Sequence, residues 1–185
     1  MIELSSLWLP ILLSAVFVFV VSGILHMVIQ LHSKDYSPTP DEEALREALR
    51  NQNISPGMYT FPHCTSTKEM GSDEFIEKMK GGPNGFMTIL PVGPVAMGRN
   101  LALWFAFSIL ISVFVAYLSS MTVGAGASFA EVFRIACTVA FLGYAIPKIE
   151  DSIWKAADWS VTIKFFFDGV LYSLVTAATF AWLWP

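Results

Sequence analysis

Residues 7–31 read LWLPILLSAVFVFVVSGILHMVIQL, a run without a single Asp, Glu, Lys or Arg. An α-helix rising 1.5 Å per residue needs about 20 apolar residues to cross the hydrocarbon core, so this run is long enough. No basic residue precedes it, and it ends in Gln30, Leu31 and His32 without a small-x-small cleavage pattern. It therefore reads as an uncleaved transmembrane helix and not as a signal peptide.

Working outward, three more apolar runs follow at residues 100–121, 130–147 and 163–184. The composition agrees, with 55% hydrophobic and 14% charged residues over 185 positions and a mean hydropathy of +0.58. Those values lie outside the usual range of soluble domains and make lipid the expected solvent. The expected fold is an all-α integral membrane protein with four transmembrane helices. A small α+β cytoplasmic insertion, residues 32–99, separates the first and second helices, and an interfacial helix, residues 149–161, separates the third and fourth.

Basic residues near the membrane mark the cytoplasmic side. The first loop carries Lys34, Arg46, Arg50, Lys68, Lys78, Lys80 and Arg99, and the third carries Lys148 and Lys155, with Lys164 at the start of the fourth helix. This places both termini on the non-cytoplasmic side of a cell or inner membrane, with loops 32–99 and 148–162 in the cytoplasm. Indole rings favour the two interfaces. Trp8, Trp182 and Trp184 fall at the expected outer face, Trp154 and Trp159 at the inner face, and Trp104 one turn inside it.

Within the insertion, Thr39, Pro40 and Glu42 suit a capped helix start, and the helix is expected over residues 40–52. Its narrow apolar stripe, Leu45, Ala48 and Leu49, needs a neighbouring surface and makes Leu45 and Leu49 candidate interaction residues. Pro56-Gly57 precedes a short strand at 58–62, Ser72 caps a helix at 73–80, and Pro83-Asn84-Gly85 precedes a second strand at 86–90. Small residues at i, i+4 spacing, Ser108 with Ser112 and Gly169 with Ser173 and Ala177, predict close helix contacts.

Ionisable groups within a bilayer are functional candidates by default. His26 and Asp168 lie at matching depth from the inner ends of the first and fourth helices. Gln30 sits one turn from His26 and Lys164 one turn from Asp168, and Tyr144 approaches from the third helix. These five form the candidate intramembrane polar set, and a plain alternative pairs Asp168 with Lys164 at i, i+4 as helix glue. Glu131 and Arg134 are expected to satisfy each other.

His63-Cys64 has no second cysteine or histidine at zinc spacing, and Cys64 and Cys137 sit in settings too different for a disulfide. No catalytic residue, metal site or cofactor is predicted. No nucleotide loop, metallohydrolase helix or nucleophile elbow occurs. The absence of a basic stripe at a net charge of −4 argues against nucleic acid. The expected function is that of a non-enzymatic polytopic accessory or structural subunit. Its partners would be the bilayer and either another membrane or cytoplasmic protein or further copies of itself. A small oligomeric transporter, channel or pH sensor using the buried His/Asp site is the alternative.

Overall fold

The computed structural model describes residues 2–185 as two compact units, residues 2–36 with Ala96–Pro185, and Ser37–Val95. The described α-helices are α1 (Trp8–Gly23), α2 (Glu42–Asn51), α3 (Thr67–Met70), α4 (Asp73–Gly81), α5 (Met97–Thr122), α6 (Phe129–Tyr144), α7 (Ile149–Lys155) and α8 (Trp159–Trp182). Two strands, β1 (Gly57–Phe61) and β2 (Gly85–Ile89), complete the second unit.

Four helical stretches are long and apolar enough to cross a membrane: Leu4–Val28, Met97–Thr122, Phe129–Lys155 and Trp159–Trp182. They pack as a ring in which α1 and α6 each touch both α5 and α8. Leu7, Val18, Val115, Val132 and Phe180 are fully buried in this bundle, but its outer surface is also apolar, unlike that of a soluble protein. Ser14, Ser108, Ser112, Ala136, Ala140 and Ala177 are fully buried, while Leu12, Leu103, Leu110, Phe114, Leu142 and Leu174 are 40–57% exposed. Small buried residues let the helix backbones approach closely, as at Gly169, where an added Cβ would lie 2.6 Å from Ala145 Cα. Across the α1–α5 contact, Ser14 Oγ donates to Ser112 Oγ at 2.9 Å.

Helix ends are closed locally. Ser128 and Glu131 form a reciprocal capping box at the start of α6. Glu131 is thereby engaged with Ser128, and Arg134 Nε donates to the Ala130 carbonyl at 3.2 Å, so the expected Glu131–Arg134 pair does not form. The second helix in the chain is capped by Asp41, whose carboxylate accepts from the Ala44 amide at 2.9 Å. Asp41 takes the place expected of Thr39, an aspartate being at least as strong a cap. Between α7 and α8, Ala156 adopts a left-handed conformation with φ 54° and Asp158 caps α8, so the helix expected over 149–161 ends at Lys155.

In the second unit, β1 and β2 pair antiparallel with Tyr59 opposite Met87 and Phe61 opposite Gly85. The segment between them holds α3, capped by Ser66, and α4, capped by Ser72. None of residues 37–95 is buried. Local caps and a two-stranded ladder therefore carry this unit's shape, an arrangement of marginal stability by itself.

Candidate functional site

The site forms where α1 loses its regular winding. Over Ile24–Val28 the helix takes a π turn, in which the Ile29 amide donates five residues back to the Ile24 carbonyl at 2.9 Å. Gln30 then turns left-handed with φ 56°, and the Ser33 and Asp35 amides donate back to the Gln30 and His32 carbonyls at 3.0 and 3.2 Å. On a continuous α-helix His32 would be rotated about 240° from His26. The unwound turn instead stacks the two rings, with centroids 4.7 Å apart and planes 19° apart.

Opposite this turn, α8 presents Lys164, Phe165 and Asp168 on one face, as spacings of three and four require. Phe165 also stacks on His32 at 4.2 Å, and Lys148 Nζ lies 5.4 Å from the centre of the Phe165 ring. His32 thus stacks with two flat rings while each of its nitrogens meets a carboxylate. Nε2 lies 2.9 Å from Asp168 Oδ2, and Nδ1 lies 2.5 Å from Asp35 Oδ2. Lys164 Nζ completes the chain by donating to Asp35 Oδ1 at 2.5 Å. His26 joins from α1, with Nε2 3.9 Å from Asp168 Oδ2 and Nδ1 3.0 Å from the Ser22 carbonyl.

Burial sharpens the electrostatics. The side chains of Asp35 and Asp168 are 1% and 3% exposed and His32 is 11% exposed, whereas His26 remains 40% exposed. Burial pushes the Asp35 carboxyl up, but the hydrogen bonds from Lys164 and His32, with their charges, outweigh it and hold the group below its ordinary value. A carboxylate only accepts, so His32 can satisfy both neighbours at once only with hydrogens on both nitrogens. Asp168 Oδ1 has no hydrogen-bond partner.

Of the sequence candidates, His26, Asp168 and Lys164 converge here, but Lys164 reaches Asp35 and makes no ion pair with Asp168 among the described residues. Gln30 contributes its backbone conformation to the turn. Tyr144 is buried within an aromatic group with Trp104, Phe107 and Tyr172, and its hydroxyl donates to the Ser108 carbonyl at 3.5 Å. Trp104 belongs to that packed layer, with its Nε1 buried and unpartnered. Leu45 and Leu49 lie on α2 in the second unit, where Leu45 is 44% exposed. His32 and Asp35 escaped the sequence reading because they follow the apolar run and are brought back only by the turn.

Among the described residues, His26, His32 and Asp168 also form a group whose candidate ligand atoms all lie within 4.8 Å of one another, although no metal was expected from sequence. The chain matches no protein-family model, and comparison with curated proteins and with solved structures finds no significant match.

Proposed function

We propose that this chain is an integral membrane protein, with loops 32–99 and 148–162 in the cytoplasm, that binds a cation at the inner end of its bundle and responds to its occupancy. The observation that carries the reading is the buried Asp168 carboxylate, which faces His26 and His32 with one oxygen unpartnered, whereas Lys164 already compensates Asp35. Buried negative charge is costly unless a positive partner compensates it, and lipid around the bundle adds to that cost. The apolar outer surface of the four long helices supports lipid as the bundle's solvent. Sensing is favoured over conduction within one chain because Trp104, Tyr144 and Tyr172 fill the interior beyond the site. Asp35 lies two residues before Ser37, where the second unit begins, so a change in the turn reaches that unit through the chain itself.

Hydrogen–deuterium exchange on the full chain in lipid nanodiscs tests this reading. Protection in residues 29–36, taken relative to the intrinsic exchange rate at each pH, is expected to change with at least one of pH, monovalent cation or divalent cation, and the change is expected to vanish in Asp168→Asn. Identical exchange under every condition in the parent would sink the proposal.

A second reading, an accessory subunit whose insertion binds another protein, is favoured by α2. That helix buries none of its residues while carrying Leu45 and Leu49 on one stripe. The two readings are compatible, since a cation-responsive turn and a partner-binding helix would belong to one signalling chain.

A further inference from the structure

The tautomers at the inner cluster are constrained by what surrounds the rings. A carbonyl oxygen can only accept, so the Ser22 carbonyl 3.0 Å from His26 Nδ1 requires the hydrogen there and, in the neutral ring, leaves the Nε2 lone pair free. Asp35 fixes His32 in the same sense, with its Oδ2 2.5 Å from Nδ1. Both Nε2 atoms then face Asp168, in a group of three donor atoms lying within 4.8 Å of one another.

A proton satisfies only part of this arrangement. Placed between His32 Nε2 and Asp168 Oδ2, which are 2.9 Å apart, it leaves His26 Nε2 at 3.9 Å and beyond hydrogen-bond reach. It also leaves Asp168 Oδ1 buried without a partner, in a residue 2% exposed. A metal ion would engage all three donors together. Tetrahedral bonds of about 2.0–2.1 Å put neighbouring ligand atoms about 3.3 Å apart. The two distances to the carboxylate bracket that value, while the two Nε2 atoms lie within 4.8 Å on stacked rings, so closing the site requires the exposed His26 ring to turn toward the ion.

We propose that His26 Nε2, His32 Nε2 and a carboxylate oxygen of Asp168 form a three-ligand site for a divalent first-row transition metal of the zinc class. The proposal rests on the cation-binding reading above and names the cation. Two imidazoles and one carboxylate suit zinc, cobalt or iron, whereas calcium and magnesium prefer a fuller set of oxygens. Outer partners of the kind that orient metal-binding histidines are already in place: the Asp35 carboxylate on His32 and the Ser22 carbonyl on His26. Lys164 in turn holds Asp35 through the bond between Nζ and Oδ1. Three protein ligands leave one coordination position for water or a solute donor. The partial exposure of His26 supplies an approach for the ion.

The test is titration of the metal-free full chain in nanodiscs with cobalt(II), read by its visible absorption, followed by displacement with zinc(II). One cobalt per chain is expected, released by one zinc. His26→Gln and Asp168→Asn should each abolish the signal, and Asp35→Asn should weaken binding about 10–100-fold as an outer partner. His63→Gln should leave it unchanged. Size-exclusion profile and helical circular dichroism of each metal-free variant control for folding. If Asp168→Asn does not fold, the partly exposed His26→Gln carries the result. A parent that binds no stoichiometric metal overturns the assignment, as does binding that survives His26→Gln. Loss of metal binding with exchange in residues 29–36 still responsive to pH or monovalent cations overturns this inference alone. Loss of both overturns the cation reading with it.

Discussion

Gly169 shows how one missing methyl group positions the site beside it. A Cβ there would lie 2.6 Å from Ala145 Cα and 2.8 Å from its nitrogen, and backbone atoms cannot turn aside as a side chain can. Gly143 makes a useful contrast, because the 2.6 Å contact of its added Cβ is with Ile111 Cδ1, the flexible end of a side chain. Gly169→Ala should therefore separate α6 from α8 and lower stability by about 1–3 kcal/mol, the usual cost of overpacking. Gly143→Ala should cost less. Thermal unfolding of the two variants in the same lipid environment measures the difference, and equal losses would contradict this account. The small-residue series at Gly169, Ser173 and Ala177 is visible in sequence. That Gly169 shoulders the backbone of the neighbouring helix, next to Asp168, is not.

At the scale of elements, the contrast between α1 and α2 is instructive. Most of α1 is encoded by hydrophobic length, but its last turn is not, since a π turn and a left-handed Gln30 leave no periodic trace. The second element is the reverse case. Its ends are legible from acidic residues at the start and a basic residue at the end, and Asp41, Glu42, Glu43 and Arg50 lie where the helix dipole favours them. Glu43 pairs with both Arg46 and Arg50 along the exposed side. Such surface pairs stabilise the helix weakly, so the unburied stripe of Leu45 and Leu49 is its main unspent source of stabilisation. Replacing both with glutamate should abolish co-purification of a protein partner under mild extraction while leaving the amount of membrane-inserted chain unchanged. Retained association would count against α2 as the docking element.

For the whole molecule, the segregation of charge is the decisive quantity. The first loop and the residues around α7 hold nearly all the lysine and arginine, and Arg134 stands apart near the start of α6. A membrane-impermeant thiol reagent should accordingly label Cys64 in inverted vesicles and not in sealed, right-side-out ones. The opposite pattern would reverse the proposed orientation. Cys64 suits the measurement because it lies in the irregular stretch before α3 and forms no disulfide.

By itself the sequence determined the four apolar helices, the small insertion after the first of them and the small-residue contacts, because these follow from length, composition and short-range spacing. It also marked His26, Lys164 and Asp168, since a polar group in an apolar run stands out without any knowledge of its neighbours. Only the tertiary structure decided that Lys164 serves Asp35, that Tyr144 belongs to an aromatic layer, and that His32 lies between two carboxylates. The second of those facts follows from how α5, α6 and α8 pack, and the other two depend on the direction in which the chain leaves its first helix. That direction is set at the π turn and at the left-handed Gln30, which hydrophobic pattern does not encode.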